Sequence, residues 1–324
     1  MPPSLSIGVP TYNQGAFLRE TLTSLLNQDM PPLELVVSDN HSTDNTGLIL
    51  KEFGTQIRVI SPPQHLVGHD HFNYLAERLQ GEWFSLLCSD DVAKPNYVRT
   101  LAEGTTRSPD AVLVRAGWES IDEASRTLFM NRLPGVRRRV RPPGTLLENV
   151  YGPKTSLAAF AVRKRAWASV GGFPTECALY FDWVFWLRLA PLGDFILEPR
   201  IISGYRTDYR PGLWEARYIA AIPDEELIST RIIPEVARAI GGVDERIIRR
   251  AMKRRFMALL PIYCELVPLA GRDDLAAAMQ KWAEATDCVR ELDGFRRGEQ
   301  FARRPHRLRA FARRIANAIW WPWA

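Results

Sequence analysis

The 324-residue chain has only four cysteines, Cys88, Cys177, Cys264 and Cys288, far apart and with neither a CxxC pair nor a neighbouring histidine pair. That spacing excludes a zinc ribbon and a disulfide framework, and it fits a reducing compartment. Long apolar runs are missing too. The longest, residues 256–270, is interrupted by Pro261, Glu265 and Pro268 and is too short to span a bilayer. Met1 is followed almost at once by the strand-like Leu5-Ser-Ile-Gly-Val9, without the charged and apolar regions of a signal peptide, so a cytoplasmic location is expected. No GxGxxG follows the first strand-like run, and there is no GxxxxGK[ST], HExxH or GxSxG. A glycine cradle for a dinucleotide, an NTP-hydrolysing loop, a zinc-protease helix and a nucleophile elbow are therefore excluded.

What is present is an ordinary globular composition, 46% hydrophobic and 24% charged, which rules out disordered and fibrous architectures. The net charge of +5 is unevenly placed. From Phe295 onward there are eight arginines and one acid, Glu299, so the rest of the chain sums to about −2. A near-neutral body argues against a nucleic-acid groove, which would spread basic residues over a whole face. The tail itself reads as a helix starting at Pro305, with Leu308, Phe311, Ala312, Ile315 and Ile319 on one face, arginines around the rest, and Trp320, Trp321 and Trp323 at its end. That makeup suits contact with an anionic membrane surface, or docking of the apolar face on the protein's own helices.

Strand patterns at Leu5 to Val9, Leu33 to Ser38, Ile57 to Ser61 and Trp83 to Cys88 alternate with helical ones, Phe17 to Leu26 and Phe72 to Leu79. This predicts an α/β fold with a mostly parallel, Rossmann-like central sheet. A further strand is expected at Ala111 to Ala116, then a loop-rich stretch from Glu119 to Pro143, and a helical region from Pro223 onward. In a parallel sheet the C-terminal strand ends share one edge, and ligands bind outside it. The polar turns Pro10-Thr11-Tyr12-Asn13, Asp39 to Asp44 and Ser89-Asp90-Asp91 should therefore converge. Asp90 and Asp91 have the hard oxygen chemistry of a Mg²⁺ or Mn²⁺ site. Spacing alone equally allows helix caps or turns at Asp90, Asp91, Asp39 and Asp44.

The runs Val9-Pro-Thr-Tyr-Asn13, Val37-Ser-Asp-Asn-His-Ser-Thr-Asp-Asn-Thr46 and Leu86-Leu-Cys-Ser-Asp-Asp91, with Pro95-Asn96 after them, resemble the nucleotide-sugar-binding half of glycosyltransferase family 2, which has a GT-A fold. Gly68 and Asn73 fall where the family often has a glycine and an asparagine leading into a helix, and Val170-Gly-Gly-Phe173 with Phe181-Asp-Trp-Val-Phe-Trp-Leu-Arg-Leu-Ala190 is similar to its acceptor-side segment. The resemblance implies a metal-dependent, inverting transfer of a sugar from a nucleoside-diphosphate sugar to a glycan or lipid-linked acceptor, in bacterial surface-polysaccharide synthesis. It places Pro10, Thr11, Tyr12, Asn13, Asp39, Asn40 and Asp90 at the nucleotide, Asp91 and Asp90 at the metal, and Asp182 as catalytic base. Three positions depart from the family pattern: Cys88 stands for the first acid of the metal motif, Phe181 for the acid before Asp182, and Asp208 for a histidine. Asp208 is a candidate third metal ligand or a loop residue, and Arg206 or Arg210 could meet the diphosphate. The implied division is a glycosyltransferase domain over 1–215, with a donor half to 118 and an acceptor half from 144. A helical region, 216–295, and the basic tail, 296–324, follow. A nucleotidyltransferase lacks support, since Pro10 to Asn13 is not a glycine- and lysine-rich loop; a catalytically degenerate binding protein remains the alternative that Cys88 and Phe181 motivate.

Overall fold

The computed structural model describes residues 4–133, 135–207 and 213–296. Asp208, Arg210 and the tail from residue 297 lie outside the described residues. In chain order the elements begin with β1 (Leu5–Thr11), α1 (Gly15–Leu26), β2 (Glu34–Asp39), α2 (Thr46–Phe53), β3 (Arg58–Ile60), α3 (Gly68–Arg78), β4 (Trp83–Leu86), β5 (Val92–Ala93) and α4 (Tyr97–Thr105). Next come β6 (Ala111–Ile121), β7 (Thr127–Asn131), β8 (Arg138–Val140), α5 (Gly144–Asn149), β9 (Phe160–Arg163), α6 (Lys164–Ser169), α7 (Phe181–Leu189) and β10 (Asp194–Arg206). The rest is helical: α8 (Leu213–Leu227), a π-helical turn Ile228–Ile232, α9 (Ile233–Ile240), α10 (Glu245–Ala270), α11 (Asp273–Ala285) and α12 (Val289–Arg296).

Two compact units share these elements. One contains residues 1–141, 155–175 and 192–208; the other 142–154, 176–191 and 209–324. The first holds the sheet, in the order β3-β2-β1-β4-β9-β6-β10-β5, with β7 on β6 and β8 on β10. Strands β3, β2, β1 and β4 run parallel, β10 runs parallel to β6, and β9 enters antiparallel between β4 and β6. β1 is buried along its whole length, Ser6 and Thr11 included, because both sheet faces are covered. Its Leu5, Ile7 and Val9 pack in one core with Leu18, Leu22 and Leu25 of α1.

The stretch from Glu119 to Pro143 is not loop-rich: β6 continues to Ile121, and β7 folds back on it through Asp122–Arg126. Asp122 Oδ1 accepts the N–H groups of Ala124 and Arg126, and Ser125 takes a positive φ of 60° to close the turn. The strand is hard to read because Leu128 and Met130 both face solvent, so the apolar–polar alternation that marks a half-buried strand is absent.

The second unit is helical. α10 and α11 bury Phe256, Leu260, Tyr263, Leu275, Met279 and Trp282 together with Ile222 of α8. Within it α7 is buried almost all round, with Trp183, Phe185, Trp186 and Leu187 fully covered.

Candidate active site

The first unit's site grows from the ends of β1, β2 and β4. Thr11 and Asp39 are register partners in adjacent parallel strands, so the two turns start at the same level of the sheet edge. Thr11 is 2% exposed and its Oγ1 has no hydrogen-bond partner, whereas Tyr12 is 46% exposed and its ring lies 4.6 Å from that of His65. Asn13, at a positive φ of 52°, spends its side chain on the next turn: its Oδ1 accepts the Thr43 N–H at 2.7 Å, and its own N–H donates to Ser42 Oγ. Asp39 Oδ1 accepts the Ser42 N–H three residues on at 3.0 Å, which leaves its second oxygen outside that bond. Asn40 is buried and clamps Leu66 at two points, donating to its carbonyl and accepting from its N–H. Asp44 accepts the N–H of Thr46 at the start of α2 and that of Gly15 at the start of α1. Gly15 leaves room for the Asn45 side chain, whose Oδ1 lies 1.8 Å from where a Cβ would sit. Under β2, His71 donates to or accepts from Ser38 Oγ at 2.8 Å, and burial drops its pKa to about 4, so it is neutral at physiological pH.

The acidic turn after β4 is held from two sides. From α1, Thr21 Oγ1 shares its one proton between the carbonyls of Ser89 and Asp91 and Ser24 accepts the Ala93 N–H, while Gln28, just past the helix, bonds Lys94 O and the Val98 N–H. From β10, the Arg206 N–H donates to Asp91 Oδ1 at 2.9 Å. The Arg206 side chain is not free to meet a diphosphate. All five of its N–H donors are engaged, on the carbonyls of Asp90, Asp122 and Glu123, on Glu20 and on Ser125 Oγ. The arginine expected as a phosphate ligand instead fastens the acidic turn to α1 and to the β6–β7 hairpin.

Asp91 is 1% exposed, and its Oδ2 has no hydrogen-bond partner. Burial and the neighbouring Asp90 carboxylate push Asp91 well above the usual carboxylate range, against the pull of the Arg206 N–H. Cys88, Asp90 and Asp91 each offer a ligand atom, and these atoms lie within 4.8 Å of one another. A buried carboxylate with an orphaned oxygen beside a second carboxylate and a thiol is an arrangement that a divalent cation relieves, so the residues fit one. Sequence reasoning rested this group on Asp90 and Asp91 alone; Cys88 joins them in space because Asp91 turns back, its N–H bonding Cys88 O at 3.0 Å.

Two resembling motifs a hundred residues apart also meet in this unit. Asn73 of α3 donates to Phe173 O and accepts its N–H, and Gly172 before it takes a φ of 83° with no room for a Cβ beside Asn73 Oδ1.

In the second unit, Asp182 occupies the first turn of α7 and accepts the Trp183 N–H at 2.7 Å. Burial pushes its pKa up to about 7; the Trp183 N–H opposes this and the charge of Asp224 adds to it. Asp224 was not singled out from the sequence, yet its buried carboxylate accepts the consecutive N–H groups of Ala178, Leu179 and Tyr180 and so fixes the entry to α7. Next to it, Glu225 forms a buried two-point pair with Arg255, whose guanidinium lies 4.4 Å from the Trp183 ring. Burial works against that guanidinium's charge, but Glu225 outweighs it and keeps Arg255 above its ordinary value. A carboxyl group near neutrality on a helix held this firmly has the properties of a general base.

Comparison with known proteins agrees with this geometry. Residues 6–163 match the model of Glycosyl transferase family 2. An uncharacterized glycosyltransferase of Rickettsia typhi is 30% identical over 128 residues, which is 39% of this chain and 40% of that protein. The glycosyltransferase GlyG of Streptococcus pneumoniae is 29% identical over 40% of this chain and 44% of its own. The chain thus spans about two fifths of the length of these curated relatives. Among solved structures, S. aureus TarS 1–349 in complex with UDP-GlcNAc superposes with a TM-score of 0.57 at 18% identity, covering 93% of both chains, a likeness of fold. The matched domain, the strand-end motifs in their order and the likeness of fold lead to one assignment: residues 6–163 form a glycosyltransferase family 2 domain.

Proposed function

We propose that this protein transfers a sugar, with inversion, from a nucleoside-diphosphate sugar to a hydroxyl group of a glycan or lipid-linked acceptor in surface-polysaccharide synthesis, working in the cytoplasm or on the inner face of the plasma membrane. The observation that carries this reading is the sheet edge where Thr11 and Asp39 end adjacent parallel strands and the turn after β4 holds Asp91, its Oδ2 buried and unpartnered. Thr11, the exposed Tyr12 and the second oxygen of Asp39 are suited to the base and ribose. Asp91 and Asp90, with Cys88 beside them, would hold Mn²⁺ or Mg²⁺, whose charge when bound neutralises the diphosphate leaving group. A mannosyltransferase from Pyrobaculum calidifontis, solved with GDP-Man and Mn²⁺, has the same fold with a TM-score of 0.56 at 17% identity, covering all of this chain and 89% of its own.

Asp182 acts as the base. The acceptor oxygen bonds to the anomeric carbon as its proton passes to Asp182, and the bond from that carbon to the diphosphate breaks with the electron pair leaving on the nucleotide. One displacement with one base inverts the anomeric centre. Asp208 is retained as a third ligand in this proposal, and the basic tail as its membrane contact. The test is a thermal-shift screen of UDP-, GDP- and dTDP-sugars with and without Mn²⁺, followed by donor hydrolysis. The expected result is stabilisation by one nucleotide class that needs the metal, with slow hydrolysis of that donor. Stabilisation without turnover on any acceptor would support a binding or scaffold protein instead.

A further inference from the structure

The near-neutral body conceals a second concentration of charge. From Arg246 to Arg255 the chain carries Arg246, Arg249, Arg250, Lys253, Arg254 and Arg255 and no acid. Arg255 turns inward to Glu225, and the other five occupy one exposed side of α10 at i, i+3, i+4, i+7 and i+8 spacing. Arg246 pairs with Asp244 and Lys253 with Glu291; Arg249, Arg250 and Arg254 have no ion pair with an acid among the described residues. A stripe of like charges costs stability in a helix unless something compensates it. This stripe lines an open depression of about 600 Å³ formed by Tyr151, Ile247, Arg250, Lys253 and Arg254. Ile247 is 45% exposed, and the Arg254 guanidinium lies 5.9 Å from the centre of the Tyr151 ring.

We infer that this face of α10 binds an anionic glycan, with Arg250, Arg254 and Lys253 taking its phosphate or carboxylate groups and Tyr151 with Ile247 taking the apolar face of a sugar ring. The inference rests on the glycosyltransferase reading, since it makes the bound glycan the acceptor chain. Charge complementarity selects an anion. Arginine supplies paired N–H donors for phosphate or carboxylate. The cations extend from Arg246 to Arg254 over about 12 Å of helix, which suits an extended chain with several charges better than a single ion. An aromatic ring and an exposed isoleucine in the same depression suit a saccharide better than a bare polyanion.

The full-length protein should be run by affinity electrophoresis in gels containing a polyuronate, a phosphomannan or neutral dextran, and its affinity for inorganic polyphosphate and for anionic phospholipid vesicles measured alongside. The expected result is retardation by the two anionic glycans and not by dextran, weakened about tenfold or more in R250E/R254E. The control R107E/R165E, exposed arginines of the first unit with the same change in net charge, should keep binding. Tyr151→Leu should weaken glycan binding while leaving polyphosphate binding unchanged. Equal loss in both charge-reversal pairs, retention by dextran, no effect of Tyr151→Leu, or an R250E/R254E defect confined to vesicles would each overturn the inference. Metal-dependent donor hydrolysis should be intact in R250E/R254E; its absence in the unmutated protein would instead defeat the transferase reading.

Discussion

Asp91 and Asp182 are two aspartates that hold their protons more tightly than a free carboxyl group, one in each unit, and they do so for different reasons. Asp91 is buried against a like-charged neighbour, with one oxygen bonded to the Arg206 N–H and the other unpartnered. Asp182 is raised chiefly by burial, against the Trp183 N–H that its carboxylate accepts. The first arrangement calls for a cation, the second for a proton. One kind of side chain is thus suited to different proposed roles, electrostatic anchor or base, according to what surrounds it.

Asp182→Asn is the strongest way to sharpen that contrast. It should lower kcat by about 10²–10⁴ while leaving the Mn²⁺-dependent thermal shift with donor intact. The base works deprotonated, so kcat/KM in the unmutated protein should rise with pH through about 7 and level off above it, a limb that the asparagine variant lacks. The folded carboxyl group holds its proton more tightly than the unfolded one, so Asp182 contributes stability at acid pH that is lost as pH rises toward 7. Urea melts across that range should show less pH dependence for Asp182→Asn. Asp91→Asn should lower donor turnover by about 10²–10³ and, unlike the first variant, abolish the thermal response to Mn²⁺. A retained response would move the metal away from this turn.

Arg206→Met should destabilise the fold by about 3–5 kcal/mol in urea melts, because it removes five bonds and leaves the carbonyls of Asp90, Asp122 and Glu123 without the donors that now reach them. A variant of unchanged stability that had lost only donor affinity would restore the phosphate role to this residue. The smallest effect is expected at Cys88. Cys88→Ser should abolish thiolate-to-metal absorption in the Co²⁺-loaded protein and shift preference from softer ions toward Mg²⁺, with affinity changes of about tenfold. An unchanged Co²⁺ spectrum would leave the metal on the two carboxylates.

Much of the fold was legible because its signals are local. Leu5 to Val9, Leu33 to Ser38 and Trp83 to Cys88 read as strands, formed as β1, β2 and β4, and the helices between them are marked by their 3.6-residue period. The β6–β7 hairpin was not, because Leu128 and Met130 present apolar side chains to solvent. The supports of the acidic turn were missed for a related reason. Thr21 and Ser24 stand among the apolar residues of α1 and Gln28 just past its end, and such polar residues signal a buried polar contact only once the contacting loop is known. Asp224 gave no signal at all, since its partners Ala178, Leu179 and Tyr180 are backbone groups more than forty residues away.

By itself the sequence determined which polar turns end which strands, and therefore that Thr11, Asp39 and Asp91 share an edge, because side-chain periodicity and turn chemistry act over a few residues. The tertiary structure alone decided which of those polar groups are already engaged and which remain to act. Asn40 bonds Leu66 at two points and Arg206 holds the acidic turn, while Asp91 Oδ2 is left over and Cys88 is drawn in. It also decided that Arg255 of the α10 basic run turns inward while its neighbours stay outside. Burial and partnership depend on residues distant in sequence, and they set both the cost of a charge and its availability.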